Sequence, residues 1–238
     1  SLLVFFLNSK TKIKDNGSRS LYLWAKTNLG DMFGHANRFK ESYQAYLDVL
    51  NLDPEYHHAL KGIAWLAYSH DKDLNTAKII LEALIEKHPV PDYDLLLGEI
   101  ERFQSGAKSN QHLESFAAKA RQESYGDMYN KYLFDFATPK EALGIAQREV
   151  NNRPTGESYN LLAWAYYLNG DLEQAYQVAA THLENRCFEP DVLYHLGIIY
   201  LTKGNKDKAR KYLTQARESA YELGPSISQK IEESLENL

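Results

Sequence analysis

Leu196-Gly197-Ile198-Ile199-Tyr200 is followed, after Lys203-Gly204-Asn205, by Lys208-Ala209-Arg210-Lys211-Tyr212-Leu213-Thr214-Gln215-Ala216. Apolar residues on either side of the glycine-containing break recur at three- and four-residue steps, as one face of a helix requires. Gly204-Asn205 is turn chemistry. The stretch therefore predicts two helices joined by a tight turn. Gly197 in the first helix and Ala209 in the second are small enough to let the two axes approach closely.

The same arrangement recurs along the chain, and internal periodicity of 20–50 residues points to a repeat architecture. A small residue follows an apolar one at Leu29-Gly30, Ile63-Ala64, Leu97-Gly98, Leu162-Ala163 and Leu196-Gly197, with 34-residue spacing between the first three and between the last two. Three residues on stand Phe33, Ala67, Glu101, Tyr166 and Tyr200. The second half of a unit carries Ser42, Ala77, Ala175 or Ala209, with apolar residues four and seven positions later, such as Tyr46 with Val49 and Leu81 with Leu84. Asp71-Lys72-Asp73, Thr138-Pro139, Asn169-Gly170-Asp171 and Gly204-Asn205 separate the halves. Helical pattern runs into Pro54, Pro89, Pro154 and Pro190, spaced 35, 65 and 36 residues apart. The middle value leaves room for one weakly marked unit.

Small residue, aromatic, alanine and proline recurring in register resemble the tetratricopeptide repeat, TPR, in a protein of bacterial type. The resemblance implies an all-α fold, a right-handed α-solenoid of stacked helix-turn-helix repeats with a C-terminal capping helix. About six hairpins are expected over residues 20–223. The family's tryptophan, four residues before the small residue, is replaced by Lys26, Leu60, Asp94, Tyr159 and Leu193. The repeats near 91–123 and 124–155 are irregular. Ser105, Gly106 and Ser109 stand where the alanine pattern belongs in the first, and Tyr125-Gly126-Asp127-Met128 opens the second without the small-residue pair. Such irregularity marks a place for an interface or a kink.

A stack of repeats leaves an apolar face open at its end and needs a cap. Residues 224–238 read as that cap, a helix starting at Pro225 with Ile227, Ile231, Leu235 and Leu238 as its stripe. Residues 1–19 form a separate N-terminal segment in which Leu2 to Leu7 reads as the last helix of a preceding repeat. Ser1 in place of Met reads as the trimmed start of a longer chain.

Twenty-seven basic against 32 acidic residues, a net charge of −5, argue against a nucleic-acid partner, which needs a basic surface. Six apolar residues in a row fall far short of the ~20 of a membrane span. One cysteine, Cys187, excludes an internal disulfide and a thiolate zinc site. A single thiol favours the cytoplasm; a periplasmic or secreted location is the alternative if a leader has been removed. The eight histidines show no His-Glu-x-x-His or similar ligand spacing, and adjacent His57 and His58 are expected to point to different sides of a helix. Nucleophile-elbow, P-loop and dinucleotide glycine motifs are absent from the sequence. No cofactor, no metal and no catalytic activity are expected, and oligomeric state is left open.

The remaining functional feature is a surface. In the family the first helices line a concave groove that holds a peptide or partner helix. Carried over at six and three residues before the small residue and one and four after it, this stripe includes Trp24, Thr27 and Asp31; His58, Lys61, Trp65 and Tyr68; Asp92, Glu99 and Arg102; Glu157, Asn160, Trp164 and Tyr167; and Asp191, Tyr194, Ile198 and Leu201. His58, Lys61, Trp65, Tyr68, Glu99, Arg102, Asn160, Trp164, Tyr167, Tyr194 and Ile198 are the candidate partner-binding residues. Trp65 with Tyr68 repeats as Trp164 with Tyr167, and aromatic and arginine side chains are common interface anchors. The leading expectation is a protein–protein interaction scaffold. A small-ligand or glycan module using the groove aromatics is the alternative, with an all-helical enzyme ranked third.

Overall fold

The computed structural model describes residues 16–106 and 110–238. The Leu2 to Leu7 run lies outside the described residues. The fold is an all-α solenoid, with no strand among the described residues. In chain order the helices are α1 (Asn16–His35), α2 (Phe39–Leu50), α3 (His57–Leu66), α4 (Leu74–Lys87), α5 (Pro91–Ser105), α6 (Gln111–Ala120), α7 (Asn130–Leu133), α8 (Pro139–Asn152), α9 (Gly156–Leu168), α10 (Leu172–Val178), α11 (Pro190–Thr202), α12 (Lys206–Arg217) and α13 (Ala220–Glu236). Single π-turns, Ala67–Asp71 and Ala179–Leu183, extend α3 and α10. The chain forms two compact units, one ending at Phe116 and one beginning at Ala117.

In the N-terminal unit, α1 packs on α2, α2 on α3, α3 on α4 and α4 on α5. Leu81, Leu84, Tyr93, Leu97 and Ile100 fill one core. The close approach rests on glycine. A Cβ on Gly30 would lie 2.6 Å from the Tyr46 ring, and one on Gly98 would lie 2.6 Å from Leu113 Cδ2 and 2.9 Å from its backbone nitrogen. Ser42 and Asn110 fasten these crossings. Ser42 Oγ donates to the Gly30 carbonyl (2.7 Å) and Asn110 Nδ2 to the Gly98 carbonyl (2.8 Å), each reaching back twelve residues. Asn110 also accepts from the Leu113 amide, and so caps α6.

The C-terminal unit repeats the scheme at α9–α10 and α11–α12. A Cβ on Gly197 would meet Leu213 Cγ at 2.5 Å. Its core joins Ala175, Leu183, Leu196, Tyr200, Leu213 and Ile231. The expected turns cap the helices that follow them. Asp73, Asp171 and Asn205 each accept a backbone amide three residues on, and Thr138 forms a full capping box with Glu141. Asn37, Lys72, Gly170 and Gly204 all turn through positive φ two residues ahead of a second helix. α13 is broken at Gly224 (φ 75°), after which Pro225 restarts it. Ile231 is buried in the core, with Ile227, Leu235 and Leu238 half-buried beside it.

The segment between α6 and α8 departs from the scheme. Residues 123–136 hold two short 3₁₀ turns around the four-residue α7 instead of a full first helix. Asn130 and Glu149 are buried there, as is Leu133.

Candidate partner-binding face

In the N-terminal unit the stripe on α3 and α5 is partly brought together. Lys61 Nζ lies 3.6 Å from Asp92 Oδ1. His58 is exposed, while Trp65, Glu99 and Arg102 are half-buried. Tyr68 is only 2% exposed, its ring edge-on to Trp65 and to Phe103. It lies within the π-turn that ends α3, where the wider i→i+5 winding breaks the three-residue register with Trp65. On α1, Trp24 is exposed and Thr27 buried, its hydroxyl donating to the Leu23 carbonyl; Asp31 accepts from the Tyr46 hydroxyl at 2.5 Å. His57 and His58 do not diverge: their rings are 4.4 Å apart, with His88 4.8 Å from His57. Burial and the neighbouring imidazoles push the His57 pKa down. Among the described residues no group of three or more His, Cys, Asp and Glu is placed to hold a metal ion.

The C-terminal unit holds the better-defined face. On α9, Tyr167 stacks on Trp164 (centroids 4.7 Å, 15°), and Trp164 stacks on His195 of α11 (3.9 Å, 12°). Tyr167 and Trp164 are each half-buried, and α9 has no π-turn to separate them. His195 is half-buried, and desolvation of its ring pushes its pKa down to about 4 against the pull of Asp191, so the imidazole is neutral at pH 7. Its Nδ1 lies 3.0 Å from Asn160 Oδ1, and the Asn160 amide nitrogen lies 3.5 Å from Asp191 Oδ2. Lys131 of α7 closes the chain on the same Asp191 oxygen at 2.8 Å. Burial raises the Asp191 pKa, but the Lys131 ammonium outweighs it and holds the carboxyl below its usual range. Asn160 and Tyr194 are buried, and Ile198 and Leu201 half-buried.

At the N-terminal end of this face α7, α8, α9 and α11 enclose a polar cavity of about 300 Å³. Glu157, Asn160 and Asp191 of the stripe line it, together with Asn130, Lys131, Glu149 and Arg153. The last four, and His195, carry no repeat signal. They lie in the segment whose pattern is broken, or between stripe positions.

Residues 190–220 match the family model of the tetratricopeptide repeat. That stretch, α11 with α12, is a tetratricopeptide repeat. This family generally mediates protein–protein interaction, and its members are generally non-catalytic scaffolds. No curated protein sequence matches the chain. In structure it is similar to a tetratricopeptide repeat protein from Parabacteroides merdae (TM-score 0.58, 15% identity, 93% of this chain and 86% of that one). It is also similar to Pseudomonas aeruginosa PilF (0.52, 12%, 90% and 98%) and to PilW, a type IV pilus biogenesis factor (0.53, 16%, 91% and 99%). At these identities the likeness is one of fold. Among the described residues of this repeat protein, no helix is long and apolar enough to cross a membrane.

Proposed function

We propose that the protein is a non-catalytic scaffold that holds a peptide or partner-protein segment on its first-helix face. The observation that carries this reading is the Tyr167–Trp164–His195 stack. Trp164 and Tyr167 are half-buried, stacked on each other, and Trp164 is held by a neutral, hydrogen-bonded imidazole. Aromatic surface fixed before binding loses little conformational entropy when a partner docks. Ile198 and Leu201, half-buried on α11, extend the apolar contact.

The test is capture of the partner from lysate of the source organism, followed by titration against variants. Trp164→Ala is expected to weaken binding by about thirtyfold or more, the usual cost of removing a central aromatic anchor. Lys206→Ala and Lys208→Ala, on α12, are expected to leave binding unchanged. Loss of binding in the α12 variants with the Trp164 variant unaffected would refute the assignment.

A further inference from the structure

A second cavity, of about 280 Å³, is lined by Glu141, Gly144, Ile145 and Arg148 of α8, which share one helical face, and by Arg121, Leu133 and Ala137. α6 stops at Ala120 and α7 has only four residues, so neither covers that face of α8. Leu133 is buried and Ala137 and Ile145 are half-buried, while both arginines are exposed. The Arg121 guanidinium is held by the carbonyls of Ala117 (3.4 Å) and Phe136 (3.0 Å), which leave its charge unneutralised. Arg148 has no hydrogen-bond or ion-pair partner among the described residues. The one carboxylate of the wall is spoken for: Glu141 Oε2 accepts from the Thr138 amide at 2.7 Å and from its hydroxyl at 2.9 Å. In a chain of net charge −5, an apolar cavity thus carries two cations that no ion pair satisfies.

Gly144 is an independent observation at the same place. It interrupts the helix formers Lys140-Glu141-Ala142-Leu143 and Ala146-Gln147-Arg148-Glu149 in the middle of α8, where glycine costs about 1 kcal/mol against alanine. Elsewhere the fold accounts for such a glycine. A Cβ on Gly30, Gly62, Gly98 or Gly197 would strike the packed side chain of Tyr46, Leu113 or Leu213 at 2.6 Å or less. A Cβ on Gly144 would meet only Arg148 Nη1, at 3.8 Å. Helix packing therefore has no use for this glycine, but the cavity has. A methyl group there would occupy the space beside the guanidinium, and bare backbone lets another chain approach closely.

We propose that this cavity docks a segment of a partner protein in which an aspartate or glutamate stands next to an apolar residue. The carboxylate takes the paired N–H donors of Arg148, whose planar fork matches it, and Arg121 adds a second positive charge. The apolar side chain covers Leu133, Ala137 and Ile145, and the segment's backbone passes over Gly144. None of the lining residues belongs to the Trp164 face, so the proposal stands or falls apart from the scaffold reading of that face.

The test is selection of a displayed library of random twelve-residue peptides, in parallel on the full wild-type chain and on Arg148→Gln. The expected result is a class of peptides retained by the wild type alone, each with Asp or Glu beside an apolar residue. A synthesised member should bind about tenfold more weakly to Arg148→Gln. It should be weakened similarly by Gly144→Ala, whose melting temperature is not lowered, so that unfolding does not explain the loss. Exchanging its acidic residue for the amide should cost affinity on the wild type and nothing further on Arg148→Gln. The proposal is overturned if no retained peptide depends on Arg148, if those that do lack an acidic residue, or if Gly144→Ala binds as the wild type does.

Discussion

Gly197 and Gly144 are both helix-interior glycines, yet replacing each by alanine should move stability in opposite directions. Intrinsic helix propensity favours alanine by about 1 kcal/mol at either site. At Gly144 nothing opposes this gain: a new Cβ would meet only Arg148 Nη1, at 3.8 Å. Gly144→Ala should therefore stabilise by about 0.5–1 kcal/mol. At Gly197 the Cβ would sit 2.5 Å from Leu213 Cγ, 2.6 Å from Cδ2 and 3.2 Å from the Leu213 backbone nitrogen. Carbon atoms pack at about 3.5–4.0 Å, so α11 and α12 must part by roughly an ångström. Leu213 has nowhere to go, with Ala209, Tyr212 and Ala216 all essentially sealed from solvent around it. Overpacking of this kind costs about 1–3 kcal/mol, so Gly197→Ala should be net destabilising by about 1 kcal/mol or slightly more. Urea denaturation followed by far-UV circular dichroism measures both. Adding Leu213→Ala should remove the penalty of the new methyl, a coupling well above 0.5 kcal/mol. If Gly197→Ala stabilises as Gly144→Ala does, the crossing is looser than described and the small-residue argument fails.

His195 has a folded pKa of about 4, below the unfolded value near 6.5, so the stability it permits is complete above pH 6.5 and is lost as pH falls toward 4. The loss should reach up to about 3 kcal/mol, and His195→Gln should flatten most of it in urea midpoints recorded from pH 7 to 4.5, leaving the smaller same-sign contribution of His57. Ile231→Ala should cost about 2–5 kcal/mol, because the side chain is fully buried under α13; thermal melts check this, and a change under 1 kcal/mol would mean that the cap is not packed. Gly224→Ala forces a side chain into φ 75° ahead of Pro225 and should destabilise by about 1–2 kcal/mol in the same melts.

The hairpins were legible because each crossing is written twice. Gly30, Gly98 and Gly197 declare the close approach, and Tyr46, Leu113 and Leu213 fill it. Ser42 could be read as an alanine substitute, but that its hydroxyl fastens the Gly30 carbonyl could not. Nor could its counterpart Asn110, which hides in a stretch of glycine and serine where no period is visible. The stripe was legible as spacing but not as exposure. Trp164 and Tyr167 share a half-buried stack, while Tyr68 at the same offset turns inward in a π-turn that residue pattern does not encode. His57 and His58 were misjudged for a related reason. At the first turn of a helix two adjacent rings can fold toward a common neighbour, here Tyr56, 5.9 Å from each.

Broken periodicity carries its own physical meaning at residues 123–136. A regular first helix would press an apolar stripe and a small residue against α8 and α9, leaving no room between them. Two 3₁₀ turns and a four-residue helix cannot supply that surface. The space left over is lined by what the short elements carry, which is polar: Asp127, Asn130 and Lys131. Buried polar groups must find partners, and they do so by recruiting Glu149 from α8 and Asp191 from α11. Asp191 in turn lies against the Asn160 amide, and Asn160 holds His195 beneath Trp164. The irregular segment and the aromatic stack are thus one hydrogen-bonded system. A substitution at Lys131 should consequently be felt at the indole of Trp164, with no direct contact needed between them. Lys131→Met removes the cation from half-buried Asp191, leaves it the Val192 backbone amide and the long Asn160 contact, and raises its pKa. Trp164 fluorescence should then report a carboxyl titration displaced to higher pH than in the wild-type protein. An unchanged emission profile across that range would show that the two halves of the face are independent.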